Sequence, residues 1–264
     1  MDADTELVER TGQQIADSAA VVTAAGAAAP ALRPQTRRLD ALHDAHLAAL
    51  EWAGDPRPAD TVRRGQAAAT VERTEQQLQR DLVDASLDAG SGGLAQLFAA
   101  MAAGIAQQEG AVEIPGPSVP SGGTATVPAL QEALAAEHAA VFVLGALGAR
   151  TSQSAAPTSY GLLTDAYLTH QARRDTLVEM VRAAGASPRP AEPGYQLGAL
   201  QNAAQIERRA GQLETSCQDV YAYLVANATG AQRRYAIGAL LDAAVRARSF
   251  GAAAENLPGL ADQG

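Results

Sequence analysis

The sequence contains no lysine, a single cysteine and few aromatic residues. All 20 basic residues are arginines, and aromatic residues make up 4% of the 264 residues. The lone Cys217 excludes an intramolecular disulfide and a cysteine-based metal cage. The scarcity of aromatic residues argues against a β-sandwich or barrel, whereas abundant Ala, Leu, Glu, Gln and Arg favour helix. The net charge of −9 argues against binding to nucleic acid or to an anionic membrane.

Targeting signals and enzyme signatures are also missing. No apolar run approaches the roughly 18 residues of a membrane span, so we expect none. The acidic opening MDADTELVER does not have the form of a signal peptide or lipoprotein leader. As the chain stands we expect a cytoplasmic location, and export or lipid anchoring if a leader has been removed. There is no phosphate loop, nucleophile elbow or Cys–His pairing.

What the sequence does contain is a series of helical segments punctuated by Gly and Pro. The eight predicted helices span about 4–28, 34–54, 58–88, 91–111, 127–149, 157–185, 197–227 and 230–251. The stretch 113–126, rich in Pro, Gly and Ser, has the composition of a linker and separates an N-terminal half, 1–112, from a C-terminal half, 127–264. Four helices with short connections predict an antiparallel four-helix bundle in each half. The alternative is one continuous α-domain.

The two halves share sequence patterns. VERTEQQL, which begins at Val71, recurs as IERRAGQL from Ile206, and ADSAAVV at 16–22 matches AEHAAVF at 136–142. A third pair, AGDPRP and AGASPRP, ends at Pro58 and at Pro190. Because the matches occur in the same order and at similar separations, we predict an all-α fold of two tandem, internally duplicated four-helix bundles.

The core of the C-terminal bundle is predicted to contain charge. Apolar residues of a bundle core recur every three or four positions, and this spacing includes Glu137, His170 and Arg174, with Glu214 beside the seam of the seventh helix. An unpaired buried charge is costly, so these four side chains are predicted to form a buried polar cluster. The guanidinium of Arg174 is expected within salt-bridge reach of Glu137 and of Glu214 or Glu207.

The N-terminal half shows a weaker version of this pattern. His43, His46 and Glu75 lie on the predicted seams of its second and third helices, and Asp17 takes the place of Glu137 in the repeat. Two histidines three residues apart on one helical face could hold a transition metal. We expect instead that no metal binds there and that at least one histidine is hydrogen-bonded to Glu75.

Duplicated bundles with inward carboxylates and histidines resemble the ferritin-like superfamily. The stretches LQEALAAEHAAVFVLGALGAR, HQARRDTLVEMVRAAG and LLDAAVRA make 127–260 similar to an actinobacterial ferritin-like domain of unknown function. The resemblance implies the fold and no established activity. Metal-binding members of the superfamily carry Glu on two helices and Glu-x-x-His on the other two. This chain has no Glu-x-x-His, since Tyr167 precedes His170 and Val245 follows Asp242 at those spacings.

Two functional hypotheses follow. In the first, the chain is a non-enzymatic ferritin-like bundle protein of unknown role, without a cofactor, in which a buried ionic cluster replaces the metal site. Such a protein would bind a protein partner or form a homo-oligomer. In the alternative, it is a divergent metal-binding protein or metal-dependent oxidase that uses Fe or Mn. Its ligands would then come from Glu137, His170, Glu207, Glu214 and Asp242.

Overall fold

The computed structural model describes residues 2–114 and 122–260, and over these residues the chain is all-helical, as predicted. Eight α-helices, two short 3₁₀ turns (Pro30–Leu32 and Arg64–Gln66) and no strands occur in this part of the chain. The helices are α1 (Ala3–Ala28), α2 (Arg33–Ala49), α3 (Ala67–Asp88), α4 (Gly92–Glu109), α5 (Val127–Gly148), α6 (Pro157–Ala183), α7 (Ala203–Ala226) and α8 (Gly230–Ser249). The centre of the predicted linker 113–126, residues 115–121, lies outside the described residues.

Side-chain caps and prolines explain where several helices begin. The carboxylate of Asp2 accepts a hydrogen bond from the Thr5 amide at 2.8 Å, and Ser91 Oγ caps α4 through the Leu94 amide at 3.2 Å. Asn202 Oδ1 caps α7 in the same way, at 3.0 Å from the Gln205 nitrogen. These contacts satisfy amide groups that have no partner within the first helical turn. A proline stands in the first turn of α2, α5 and α6, where its missing N–H is not needed.

The third helix begins later than its sequence predicts, at Ala67 rather than near residue 58. Pro56 and Pro58 disfavour helical backbone in the residues before them, and the chain is irregular up to the 3₁₀ turn Arg64–Gln66. This loop lies over α1, where Asp17 accepts a hydrogen bond from the Arg57 amide at 2.8 Å. Asp17, which takes the place of Glu137 in the repeat, thus holds a surface loop and not a position in the core.

The chain divides into two compact units. The first runs to Glu113 and also includes Ala254–Pro258, and the second comprises Ile114–Ala253 with the residues from Gly259 onward. In the first unit α1 packs against α2 and α3, and α4 packs against α3 and α2. In the second, α5 packs against α6 and α7, and α7 packs against α8. The segment predicted as 127–264 thus contributes five residues to the first unit.

The helix α5 forms much of the apolar core of the second unit. Leu130, Leu134, Val143 and Leu144 on this helix are fully or almost fully buried. It is the one described helix long and apolar enough to cross a membrane by length and composition, with a mean hydropathy of 1.3, and 44% of that window is buried inside the unit. A buried core helix passes the same test, so this is weak support for a span. The expectation that no apolar run approaches the length of a membrane span is nevertheless wrong for α5.

Candidate functional site

A buried histidine lies between two buried carboxylates in the second unit. His170 on α6 has Nδ1 2.6 Å from Glu137 Oε2 on α5 and Nε2 3.2 Å from Glu214 Oε1 on α7. All three side chains are 0% exposed. The structure therefore brings together three of the four residues of the predicted cluster, and each comes from a different helix.

Two ionised carboxylates at these distances are matched by a proton on each ring nitrogen of His170. A neutral imidazole has one N–H donor and one lone pair, and an ionised carboxylate can only accept. With an oxygen of Glu137 at one nitrogen and an oxygen of Glu214 at the other, both nitrogens donate only in the imidazolium form. Burial alone would lower the pKa of His170, but the charges and hydrogen bonds of Glu137 and Glu214 outweigh it and raise the pKa to about 9.

Tyr221 and Arg173 extend this cluster. The Tyr221 hydroxyl donates to the second oxygen of Glu137 at 2.5 Å, so both oxygens of that carboxylate are hydrogen-bonded. Burial raises the pKa of Tyr221 well above its usual value, which keeps the phenol as a donor. The guanidinium carbon of Arg173 lies 5.4 Å from the centre of the Tyr221 ring, within the range of a cation–π contact.

Arg173, rather than the predicted Arg174, is the buried arginine of this core. Arg173 is 9% exposed, whereas the side chain of Arg174 is 28% exposed and pairs with its neighbour Asp175 at 2.7 Å. The prediction placed the next buried residue of α6 four positions after His170, at Arg174. In the structure the next buried residue lies three positions after His170, at Arg173. Successive residues of a helix point about 100° apart, so this difference moves Arg174 away from Glu137 and Glu214.

Polar side chains also join α6 to α8. Arg173 Nη2 donates to Asp242 Oδ2 at 2.7 Å, and Arg246 Nε donates to the same oxygen at 2.8 Å. Arg246 Nη2 reaches Thr169 Oγ1 on α6 at 2.8 Å. Burial would raise the pKa of Asp242, but the two arginines lower it below its usual value, so this carboxylate stays ionised.

Of the five predicted metal ligands, Glu137, His170 and Glu214 lie together, whereas Glu207 and Asp242 have other partners. Glu207 accepts a hydrogen bond from Ser159 at 2.5 Å and has no contact with the His170 cluster among the hydrogen bonds found, while Asp242 is held by its two arginines. Residues 2–114 and 122–260 contain no group of three or more His, Cys, Asp or Glu side chains arranged to hold a metal ion. The hypothesis that Glu207 and Asp242 join Glu137, His170 and Glu214 as ligands is therefore not supported by their positions.

Gln218 on α7, which sequence reasoning passed over, lines the same core, as does Cys217 on that helix. Gln218, one turn beyond Glu214, is 0% exposed, and neither atom of its amide has a hydrogen-bond partner. Cys217 between them is buried as predicted for a small apolar residue, and burial raises the pKa of its thiol well above the usual value. The i, i+4 step from Glu214 was the sequence signal for Gln218, because the two residues share a helical face.

The first unit contains a smaller polar core. His43 Nε2 on α2 lies 3.2 Å from Glu75 Oε2 on α3, and both side chains are 0% exposed. His46, one turn later, contacts the backbone oxygen of Asn256 through Nε2 at 2.9 Å. Burial lowers the pKa of His46 to about 3, so its ring is neutral and its single proton lies on Nε2, where it donates to that oxygen.

The protonated state of His170 predicts how stability depends on pH. Its pKa is about 9 in the folded chain and about 6.5 when unfolded, so between these values the folded state holds the extra proton. The contribution of this protonation to the free energy of unfolding is complete below pH 6.5. It is lost as pH rises through about 9, and the free energy of unfolding then falls by roughly 1 kcal/mol per pH unit. Denaturant unfolding of the second unit across this window should show the decline, and His170→Gln should lack it. An equal slope in both chains would contradict the assignment.

Fold and site together define an all-helical protein whose second unit is built around a buried ionic core. A family model described as Domain of unknown function (DUF4439) matches residues 129–262, and the chain belongs to this family. At this level the predicted similarity of 127–260 to a domain of unknown function is confirmed. Comparison with curated proteins and with solved structures gives no significant match.

Proposed function

We propose that the chain is a non-enzymatic helical protein made of two ferritin-like four-helix bundles, with an ionic core in place of a metal site in the second. One observation carries the proposal: both ring nitrogens of His170 face carboxylates, at 2.6 and 3.2 Å. In this arrangement the imidazolium is the cation that Glu137 and Glu214 share. The core then has a structural role, and the protein acts through binding to a protein partner or to another copy.

The residues present do not fit the dinuclear site that the resemblance implies. Such a site needs four carboxylates and two histidines whose lone pairs are free for metal. Here both nitrogens of His170 face carboxylates, Glu207 accepts a hydrogen bond from Ser159, and Asp242 accepts from Arg173 and Arg246. A metal would have to displace the proton from His170 and enter beside a buried guanidinium, which opposes it electrostatically.

Corresponding polar pairs support a duplication. In each unit a buried histidine on the second helix contacts a buried glutamate on the third: His43 with Glu75, and His170 with Glu214. The second unit adds Glu137 on its first helix. The two pairs are not aligned residue for residue by the repeat, because VERTEQQL and IERRAGQL place Glu75 opposite Ala210. We therefore propose that the halves descend from one bundle whose polar core was rebuilt separately in each.

The test combines metal analysis with the protonation state of His170. Protein purified from Fe- and Mn-supplemented culture should contain neither metal near stoichiometry. Nitrogen NMR at pH 7 should show both ring nitrogens of His170 protonated. The Glu137→Gln/Glu214→Gln variant should return this histidine to a neutral form at the same pH.

Two results would overturn the proposal. One is near-stoichiometric Fe or Mn that raises the melting temperature, and the other is a single proton on His170 at pH 7. His46 in the first unit provides the internal control, since its Nε2 contacts the backbone oxygen of Asn256, at 2.9 Å, and it is not part of the Glu137–His170–Glu214 cluster. Its resonances should not respond to the two glutamate substitutions.

A further inference from the structure

A cavity of about 230 Å³ opens beside Arg173 in the second unit. Its walls include the neighbours Arg234 and Tyr235 of α8 and Gly238, about one turn further along that helix, and Arg173 reaches it from α6. The volume is in the range of a small organic or inorganic anion and too small for a nucleotide or a peptide.

Arg173 has hydrogen-bonding capacity left over. Its Nη2 donates to Asp242, but its Nη1 is buried and has no partner. A buried guanidinium with an unused donor group is costly in free energy. Hydrogen bonds of charged groups are the strongest, so leaving a buried charged donor without an acceptor carries the largest penalty. The side chain therefore favours an additional acceptor close to the cavity that it lines.

The charges around the cavity also favour a negatively charged ligand. Asp242 is shared by Arg173 and Arg246, so one carboxylate faces two guanidinium groups. Arg234 lines the cavity, and no ion pair with it is found among the described residues. Burial raises the pKa of Tyr235, so its phenol stays protonated; its present acceptor is the backbone oxygen of Arg173, at the long distance of 3.5 Å. The site is thus positive within a chain whose net charge is −9.

Gly238 leaves space for the ligand. It lies in the middle of α8, and a Cβ added there would meet no atom within 4 Å. Glycine inside a helix costs about 1 kcal/mol relative to alanine, so helix stability does not explain its presence. Its effect on the wall is to keep the cavity open between Arg173 and the face of α8.

We infer that this cavity binds a small oxyanion, a carboxylate or a phosphate, between Arg173, Arg234 and the Tyr235 hydroxyl. Planar guanidinium groups match the geometry of both kinds of oxyanion, which is the shared chemistry of the two candidate ligand classes. The Glu137–His170–Glu214 cluster takes no part in binding, and the inference goes beyond the structural role proposed for it.

Calorimetric titration of the full chain tests the inference, with inorganic phosphate and succinate as probes and sodium chloride of equal ionic strength as the blank. At least one probe should bind saturably at one site per chain. Arg234→Gln should weaken binding about tenfold or more, the factor expected for one charge-assisted hydrogen bond. Gly238→Leu should abolish binding, because the new side chain fills the cavity.

Matched variants separate this site from general charge and folding effects. Arg208→Gln removes another arginine of the second unit that forms no ion pair with residues 2–114 or 122–260, and Gly161→Leu fills open space at a helical glycine outside the cavity. Both should bind as the wild type does. Phosphate binding alone or succinate binding alone would each support the site and assign its ligand class. Binding of neither probe, or wild-type affinity in Gly238→Leu, would overturn the inference.

Discussion

His170→Leu should destabilise the second unit by about 3–5 kcal/mol at neutral pH, the usual cost of removing one member of a buried ionic group. The substitution leaves Glu137 and Glu214 at 0% exposure without the cation that they share. Amide hydrogen exchange of α5, α6 and α7 during denaturant titration measures the effect in that unit alone. The loss should greatly exceed what the change in packing volume causes, since leucine and histidine are similar in size.

Two variants decide whether charge is the cause. His138→Leu removes a neighbouring histidine whose one hydrogen bond within the described part of the chain joins it to the backbone oxygen of Arg189, and it should cost less than about 1 kcal/mol, as surface substitutions do. Glu137→Gln/His170→Leu/Glu214→Gln removes the charges together while keeping an oxygen for the Tyr221 hydroxyl. This triple variant should recover a large part of the loss. If the triple variant is as unstable as His170→Leu alone, uncompensated charge is not the cause of the stability loss.

The helical class and most helix bounds were predictable because they depend on local chemistry. Prolines at 34, 128 and 157 and the caps Ser91 and Asn202 act within one turn of their own position. The prediction fails at residues 58–66. The sequence predicts a helix from Pro58 onward, but these residues form a loop that lies over α1. Tertiary contacts, such as that of Asp17 with Arg57, override local propensity there.

For the candidate site, the sequence was sufficient to predict which helices contribute polar residues. Glu137, His170 and Glu214 stand out because each occupies or borders an apolar seam. The choice between Arg173 and Arg174 was not predictable, because steps of three and four both occur on a helical seam and both residues are arginines. Only Asp242 and the Tyr221 ring, which come from other helices, select Arg173.

The segment Ala254–Pro258 had no local signal at all. Its composition indicates an irregular tail, yet it is part of the first unit. Two backbone groups fix it there: the Asn256 oxygen accepts from His46 at 2.9 Å, and the Glu255 amide donates to Gln107 Oε1 at 2.7 Å. Pro258 is also buried. Such pairing joins residues about 150 to 210 positions apart, a separation at which a single sequence carries no periodicity to follow.

Gly104→Ala should destabilise the first unit by about 2–3 kcal/mol, even though alanine favours helix by up to about 1 kcal/mol. Gly104 is in the middle of α4, and a Cβ there would stand 2.5 Å from the Asn256 oxygen and 3.3 Å from His46 Nε2. The backbone of the 254–258 segment must move, which breaks the hydrogen bond of His46 and leaves a buried donor unsatisfied. Trp52, the one tryptophan of the chain, lies in the first unit and reports its unfolding by fluorescence.

A double-variant cycle identifies the clash as the cause. Gly161→Ala is the matched control, because its Cβ meets nothing within 4 Å, and it should be neutral or stabilising by up to about 1 kcal/mol. Truncation after Ala253 removes Asn256, and by itself should destabilise the first unit through the lost partner of His46. In the truncated chain Gly104→Ala should cost nothing further and should approach the gain seen at Gly161, since the obstructing backbone is gone. An undiminished penalty in the truncated chain would show that α4 itself, rather than the 254–258 segment, requires glycine at this position.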